Sequence, residues 1–329
     1  MNIRIALLCD LVRMSLRTRY KRNKARAVLG HIASKCIQNT TLFQDQCAFP
    51  LHAVLLVTTR CNKKCPDCFY TKLVNRPNVE TELSLELVKE ALSTDIFKSV
   101  CRVALVGGEP LLNANLMAII RFLKTQGILA TLTTNGLLLQ PVLLNTLKTG
   151  GLDWLNISIY EDNHSKIMDA FAAAREGAFP VGRMALVHHS GNISDYQQAY
   201  DFAIQAGAPN LILNHLYINN DPRPDHERDA FADGYDVLCD KINKDQKLRL
   251  YAHPPFRSTQ SQIPRCGQAM GLISLAPDRT LGPCCHLPPG SAFGSLDDPT
   301  PTLKFKHSVF SHSCPAPCKK CYFLNSTVY

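Results

Sequence analysis

Short apolar runs alternate with amphipathic segments along this chain from residue 53 onward. The runs are typical of buried strands in a parallel sheet. They span Ala53 to Thr59, Arg102 to Val106, Ile128 to Thr133, Leu152 to Tyr160, Val181 to His188 and Asn210 to Tyr217. Helical patterns lie between them: one after the N-cap candidate Ser84, one from Leu116 to a stop at Gly127, and others near 139–149, 163–176 and 195–206. Six consecutive βα units predict a parallel sheet with helices outside it, either open or closed into a barrel.

The pattern changes on both sides of this region, and four parts of the chain are predicted. They are a basic helical arm over 1–50, the βα core over 51–220, a bridge with one helix near 227–244 over 221–263, and a cysteine-rich module over 264–329. The module has two short strand candidates, Gly271 to Leu275 and Arg279 to Gly282. It is too small for a large apolar core, so a bound metal is expected to stabilise it.

The composition is that of a folded protein, since 46% of the 329 residues are apolar and 19% are charged. Prolines and glycines are scattered, which excludes collagen-like and low-complexity classes. A transmembrane helix needs about 18 continuous apolar residues, and the sequence has no such run. Asp10 interrupts the first apolar stretch and a basic segment from Arg13 to Arg26 follows, so no secretory signal is predicted and the cytoplasm is the expected location.

Positive charge is concentrated near the N-terminus. Residues 1–36 contain nine Lys or Arg and one acidic residue, Asp10, which together account for eight of the nine formal positive charges. A nucleic-acid-binding protein would spread such charge over a folded face, so nucleic acid is not a favoured partner. Three interpretations of the arm are open: a solvated helix packed on the core, a helix at an anionic surface such as the inner face of the membrane, or a contact to RNA or a partner protein.

The chain has 14 cysteines and no predicted export signal, so its clustered cysteines are interpreted as metal ligands before disulfides. Cys61, Cys65 and Cys68 directly follow the first predicted strand, at the strand end that carries active sites in barrel enzymes. Three thiolates with this CxxxCxxC spacing can bind three irons of a 4Fe-4S cluster and leave the fourth iron open. A structural zinc site would use four ligands; zinc or inert cysteines are the alternative interpretation.

Three polar motifs stand at the ends of the next strands. Gly107-Gly108-Glu109-Pro110 follows the second strand, Thr133-Thr134-Asn135-Gly136 the third, and Asn156-Ile157-Ser158-Ile159-Tyr160 the fourth. Together with the cysteine loop, these motifs resemble the radical S-adenosylmethionine (SAM) superfamily in order and spacing. The resemblance implies a partial (β/α)6 TIM-like barrel. In that family the open iron chelates SAM, and an electron from the cluster cleaves SAM to a 5′-deoxyadenosyl radical that abstracts hydrogen from a substrate C–H bond. Cys61, Cys65 and Cys68 would then be both metal ligands and catalytic residues.

The resemblance also implies contacts to SAM. These are Gly107, Gly108 and Glu109 at the methionine ammonium, Thr133 and Asn135 near the ribose, and Ser158 at the ribose or the carboxylate. The family often has an aromatic residue before the third cysteine, where this chain has Asp67, so Phe69 or Tyr70 is expected to shield the adenine. Arg183 is expected either to contact the SAM carboxylate or to form an exposed salt bridge.

Six further cysteines lie in the C-terminal module: Cys266, Cys284, Cys285, Cys314, Cys318 and Cys321. Their arrangement around the two strand candidates resembles the twitch form of SPASM domains, with Arg279 where that family's turn has glycine. The resemblance implies one auxiliary 4Fe-4S cluster held by Cys266, Cys284, Cys318 and Cys321, with Cys314 able to replace one of them. A zinc site with four cysteines is the alternative, and Cys285 is expected to be a bystander.

An auxiliary cluster implies an oxidative modification, because such clusters in this family accept an electron from the substrate radical or orient the substrate. The substrate class stays open between a ribosomal peptide or protein side chain and a sugar-like small molecule, with flavodoxin or ferredoxin as electron donor. One alternative is a lipid-directed radical SAM enzyme at the membrane surface, since the arm ending in Phe49-Pro50-Leu51 resembles that of members acting on hopanoid lipids. The other is a non-catalytic, metal-stabilised binding protein.

Polar residues near the predicted strand ends are candidates for substrate contacts, and each has a solvated or packed role as its alternative. They are Tyr160, His188, His189, His215, Tyr217 and Asp221. Cys239, on the predicted bridge helix, is interpreted either as a hydrogen-atom donor or as a core residue.

Overall fold

The computed structural model describes residues 50, 52–65, 68, 82–98, 100–215, 223–252, 272–282 and 294–300. The predictions for the basic arm, for Phe69, Tyr70, Tyr217 and Asp221, and for the six C-terminal cysteines lie outside the described residues.

Ten strands and six α-helices occupy the described ranges. The strands are β1 (His52–Thr58), β2 (Arg102–Gly107), β3 (Leu129–Thr134), β4 (Trp154–Ser158), β5 (Met184–Ser190), β6 (Asn210–His215), β7 (Arg249–Ala252), β8 (Leu272–Leu275), β9 (Thr280–Gly282) and β10 (Gly294–Ser295). The helices are α1 (Leu85–Ser93), α2 (Leu116–Thr125), α3 (Pro141–Gly150), α4 (His164–Arg175), α5 (Ile193–Ala206) and α6 (Asp225–Asp245). Short 3₁₀ helices lie at Asp95–Phe97, Pro110–Leu112, Glu161–Asn163 and Val181–Arg183.

All ten strands belong to one sheet, in the order β10-β9-β8-β1-β2-β3-β4-β5-β6-β7. Strands β1 to β7 are parallel, β8 is parallel to β1, and β9 and β10 are antiparallel to their neighbours. The predicted α/β fold with a mostly parallel sheet is confirmed, and it is consistent with a partial TIM-like barrel. Strand β7 was not predicted. Because β8 and β9 continue the sheet beyond β1, the described part of the C-terminal region shares the sheet of the core; the four-part division stays a prediction.

The two faces of the sheet differ in their cover. The outer face packs against the helices, and its strand residues belong to the main hydrophobic core: Leu55, Leu105, Leu132, Leu155, Leu186 and Leu213. We call the opposite face the inner face. Side chains alternate between the faces along a strand, so the register places Val54, Ala104, Thr131, Trp154, Val187 and Ile212 on the inner face.

Local signals explain where two helices begin and end. The Ser84 hydroxyl accepts a hydrogen bond from the Leu87 N–H at 3.1 Å, which makes it the N-cap of α1 as predicted. Helix α1 ends at Ser93 because Thr94 is extended, and Ile96 lies in the 3₁₀ turn that follows. Gly127 takes a φ of 67° just after α2, as a helix stop requires.

Arg279 adopts a φ of 68°, the left-handed conformation that favours glycine. Its guanidinium holds two carboxylates, donating from Nε to Asp297 at 2.7 Å and from Nη1 to Glu90 at 3.0 Å. Glu90 lies on α1, so this ion pair joins the β8–β9 turn to the first helix. The turn therefore keeps a glycine-like geometry with an arginine.

Within the described ranges, none of the helices has the length and apolar character that a bilayer crossing would need.

Candidate active site at the carboxyl edge of the sheet

The sequence motifs meet at one edge of the sheet because β1 to β4 are parallel and adjacent. The cysteine loop follows β1, Gly107 ends β2, Asn135 follows β3 and Ser158 ends β4. Carboxyl ends of parallel strands are the usual place of active sites in barrel folds. The structure thus brings the four predicted segments together.

The thiols of the cysteine loop lie within electrostatic range of one another. Burial raises the pKa of Cys61, and the negative charges of Glu109, Cys65 and Cys68 raise it further, while a hydrogen bond from the Lys63 N–H lowers it. The Cys68 N–H also donates to the Cys65 carbonyl at 3.4 Å, which closes the second part of the loop. Gathered thiols of this kind are soft ligands suited to iron–sulfur clusters.

A single metal ion has no ready site among the described residues, where no three Cys, His, Asp or Glu side chains converge closely enough to hold one. A tetrahedral zinc ion would need all its sulfurs about 2.3 Å from one centre. In a 4Fe-4S cluster each thiolate binds its own iron, so the sulfurs stand farther apart.

The Gly107-Gly108-Glu109 loop is joined to the cysteine loop through the backbone. The Gly108 N–H donates to the Thr58 carbonyl and the Glu109 N–H to the Arg60 carbonyl, both at 2.8 Å. A Cβ on Gly107 would lie 2.4 Å from the Thr58 oxygen, and one on Gly108 would lie 2.1 Å from the Arg60 oxygen. Both glycines are therefore required by the close approach of the two loops.

Glu109 is fully buried and connects the loops after β2 and β3. Its Oε1 accepts from the Thr134 hydroxyl at 2.7 Å and the Leu111 N–H at 3.1 Å, and its Oε2 accepts from the Asn135 N–H at 2.8 Å. Burial raises the pKa of this carboxyl, and the three hydrogen bonds oppose that rise. A carboxylate oxygen has two lone pairs and Oε2 uses one of them, but Glu109 has no exposed surface, so a cation reaches Oε2 only if the surrounding loops shift.

Asparagines complete the connections across the edge. Asn135 donates from Nδ2 to Asn62 Oδ1 at 2.8 Å, which ties the loop after β3 to the cysteine loop. Asn163 is buried and donates to the Asn135 carbonyl at 2.6 Å and the Ser158 carbonyl at 2.7 Å. Neither Asn62 nor Asn163 is among the predicted site residues; their position soon after β1 and β4 is the sequence signal that indicates them.

Tyr160 lies beside the cysteine loop. Burial and the neighbouring thiol of Cys65 raise the pKa of its phenol, and the Ser158 hydroxyl contacts it by a hydrogen bond. Lys63 places its Nζ 4.5 Å from the centre of the Tyr160 ring and forms an ion pair with Asp162 at 2.5 Å. The cysteine loop is thus held against the end of β4 as well as β2.

Arg183 lies far from this edge. It ends the 3₁₀ turn before Met184, the first residue of β5, so it stands at the amino end of that strand. Seven strand residues rise about 20 Å between the two ends. We therefore leave Arg183 out of the site, correcting the expectation that it contacts the SAM carboxylate.

The histidine candidates separate by face. His188 and His215 are on the outer face, where Tyr196 of α5 contacts both rings and its hydroxyl lies 3.1 Å from His215 Nδ1. His189 is on the inner face. Cys239 of α6 packs against the main core, and burial raises the pKa of its thiol to about 12, so it is a core residue rather than a group facing the inner face.

Comparisons with known proteins cover this same region. Residues 55–203 match the family model described as Radical SAM superfamily. The probable GTP 3′,8-cyclase of Sulfurisphaera tokodaii is 31% identical over 163 residues, which is 46% of this chain and 52% of that protein. The PqqA peptide cyclase of Ruegeria pomeroyi is 25% identical over 175 residues, 49% of this chain and 46% of that protein. The chain spans about half the length of the curated relatives it matches.

Among solved structures, Streptococcus suis SuiB aligns with a TM-score of 0.60 at 13% identity, covering 98% of this chain and 82% of SuiB. SuiB bound to S-adenosylmethionine aligns with a TM-score of 0.58 at 14% identity and the same coverage. At these identities the likeness shows a shared fold.

Proposed function

We propose that this chain, whose residues 55–203 match the Radical SAM superfamily model, is a radical SAM enzyme that cleaves SAM reductively and abstracts hydrogen from a substrate C–H bond. The observation that carries the proposal is the junction between β1 and β2. There, the segment that leads into the three cysteines is joined at Thr58 and Arg60, through backbone hydrogen bonds, to a loop that ends in a buried carboxylate. The junction between β1 and β2 thus positions both the cysteines that would bind a cluster and the carboxylate that would bind the amino group of SAM.

We assign Cys61, Cys65 and Cys68 as ligands of a 4Fe-4S cluster that, when bound, supplies the electron that splits the SAM sulfonium. Glu109 pairs through Oε2 with the methionine ammonium, and the Gly107-Gly108 backbone orients it. Further SAM contacts are assigned to the ends of β3 and β4 and to the cysteine loop: Thr133, Asn135, Ser158 and Tyr70.

For the substrate we propose oxidative modification of a peptide or protein side chain. Support comes from the match to a PqqA peptide cyclase and from the shared fold with SuiB, whose structure has also been determined with the precursor peptide SuiA. A sugar-like small molecule is the second candidate, because the relatives include probable GTP 3′,8-cyclases.

We propose that Cys266, Cys284, Cys318 and Cys321 hold an auxiliary cluster that accepts the electron released by the oxidation, with Cys314 as a substitute ligand. Cys266 precedes β8 and Cys284 follows β9 in the sequence, and β8 is the neighbour of β1. The pairing of β8 with β1 supports the proposal, because it brings the strands between Cys266 and Cys284 in the sequence next to the strand that precedes the first cysteine loop.

The test is SAM cleavage by the full chain reconstituted anaerobically with iron and sulfide. With SAM and dithionite, the wild type is expected to release 5′-deoxyadenosine and to hold about eight irons, four per cluster. Cys65→Ala is expected to retain about four irons and to lose SAM cleavage, whereas the control Cys239→Ala keeps both. Colourless wild-type protein containing zinc, or cleavage that survives Cys65→Ala, would refute the proposal.

A double variant, Cys318→Ala with Cys321→Ala, separates the two clusters. It is expected to keep about four irons and to cleave SAM, since the first cluster is intact. If the double variant retains all the wild-type iron, the assignment of the auxiliary cluster is refuted, whereas the assignment of the cluster at Cys61, Cys65 and Cys68 is unaffected.

A further inference from the structure

His189 and Asn214 form a polar pair on the inner face that the proposed SAM site does not use. They are the last inner-face residues of β5 and β6, and the strand register pairs them directly. Asn214 Nδ2 lies 3.2 Å from His189 Nε2, and both residues are half-buried. The pair stands at the same carboxyl edge as the cysteine loop, several strands away from it.

Other neutral hydrogen-bonding groups lie on the inner face of the neighbouring strands, at the level of Ala185, which is four residues before His189 on β5. On β4, Asn156 accepts from the Trp154 indole N–H at 2.8 Å and donates to the Thr133 hydroxyl at 3.3 Å. We call these five residues (Thr133, Trp154, Asn156, His189 and Asn214) the polar wall. The inner face near β1 instead carries an apolar cluster of Val54, Leu56 and Leu272, with Ser274 beside Val54. A substrate on this face therefore meets an apolar side and a polar side.

The polar wall is suited to neutral groups. None of the described inner-face positions of β3 to β6 is Asp, Glu, Lys or Arg. A phosphate or carboxylate group in such a place would need a cationic partner. Amide, hydroxyl and imidazole groups can each donate and accept, which matches the paired N–H and C=O of a peptide or side-chain amide.

We propose that His189 and Asn214 bind a neutral amide group of a peptide substrate and so place a neighbouring C–H bond at the radical. The inference rests on the proposed function, which supplies the radical. One hydrogen atom moves: a peptide C–H bond breaks, a C–H bond forms at the 5′ carbon of 5′-deoxyadenosine, and a carbon radical stays on the peptide. In an assay with dithionite, that radical is reduced by one electron and protonated by water.

The probe is an N-acetylated tripeptide amide of perdeuterated alanine, glutamine and alanine. The reconstituted full chain is incubated with SAM, dithionite and this peptide, and mass spectrometry measures the fraction of released 5′-deoxyadenosine that carries deuterium. We expect deuterium from the peptide and none from ribose-deuterated GTP. His189→Phe and Asn214→Leu should each lower the deuterated fraction about tenfold, since each removes a hydrogen-bonding partner of the amide.

His188→Gln is the matched control because His188 is the adjacent histidine on the outer face; it should keep the wild-type fraction. His189→Gln, which retains an amide donor and acceptor, should restore most of the fraction lost in His189→Phe and so excludes a folding defect. Unchanged fractions in both variants, no deuterium from the peptide, or deuterium from GTP would overturn the inference. Wild type that releases no 5′-deoxyadenosine at all would instead refute the proposed function beneath it.

Discussion

Replacing Gly108 by alanine tests whether the contact between the two loops positions the site. The new Cβ would lie 2.1 Å from the Arg60 carbonyl oxygen and 3.2 Å from Cys61 Cβ. Real Cβ atoms lie at least 3.0 Å from such neighbours, so the two loops would have to move apart by about 0.9 Å to remove the clash. The hydrogen bond from the Glu109 N–H to the Arg60 carbonyl, now 2.8 Å, would then exceed hydrogen-bonding distance.

Two consequences have calculable size. Overpacking and loss of that hydrogen bond are expected to lower the free energy of unfolding by about 2 kcal/mol. A displacement near 1 Å between reacting groups can slow a reaction by about 100-fold, so SAM cleavage should fall by one to two orders of magnitude. Urea unfolding of the metal-free protein measures the first effect, and the rate of 5′-deoxyadenosine release by the reconstituted protein measures the second.

Gly182→Ala is the control for the chemical change itself. Gly182 is exposed, and a Cβ there meets no atom within 4 Å. Its unfolding free energy should change by less than about 0.5 kcal/mol and its SAM cleavage should match the wild type. The reasoning fails if Gly108→Ala retains wild-type stability and rate, or if Gly182→Ala loses as much.

Three further predictions concern stability. Glu109→Gln should lower the free energy of unfolding by about 1–3 kcal/mol. In either orientation of the amide, its NH₂ group would face a backbone N–H, that of Asn135 or that of Leu111, and neither group can accept. A urea midpoint equal to that of the wild type would contradict this prediction. Burial and the charge of Arg102 lower the pKa of His52 to about 3. Neutral His52 therefore contributes stability that is fully present above its unfolded pKa of about 6.5 and is lost as the pH falls toward 3. Between pH 7.5 and pH 5.5 the loss due to His52 should be about 1 kcal/mol in urea titrations, so His52→Gln should lose about 1 kcal/mol less than the wild type over this range. Burial also lowers the pKa of His188, which leaves a residual pH dependence in the variant. An equal pH dependence in both proteins would contradict the assignment to His52. Arg279→Ala and Arg279→Gly both lose the ion pairs, but only glycine relieves the strain of the left-handed backbone at this position. The glycine variant should therefore be more stable than the alanine variant by about 1 kcal/mol. A lower melting temperature for the glycine variant would contradict this prediction.

Much of the fold follows from the sequence because parallel buried strands are continuous apolar runs. The limits of those runs are less certain: the fifth strand was expected over 181–188 but spans Met184–Ser190, since Val181–Arg183 forms a 3₁₀ turn. Strand β7 was missed because four residues of mixed character, Arg249–Ala252, give no clear pattern on their own. Tertiary pairing with β6 makes them a strand.

The candidate site was predictable to the level of strand ends and no further. Parallel topology alone brings the cysteine loop, Gly107-Gly108 and Asn135 to one edge. His188 and His189 are neighbours in the sequence, so they point to opposite faces of the sheet. The strand register, which the sequence does not give, decides that His189 is the one on the inner face. Buried asparagines such as Asn163 connect loops through backbone carbonyls, and such long-range bonds leave no periodic trace in the sequence.

The pairing of β1 with β8 has a consequence for biosynthesis. His52 pairs with Leu272, so about 220 residues must be translated before the strand bearing the cysteine loop gains its second neighbour. At typical rates of elongation this takes about 10 to 40 s, during which β8 is not yet available to pair with β1. An unpaired strand edge can associate with other polypeptides, so the pairing of β1 with β8 removes such an edge only when the last fifth of the chain is being made.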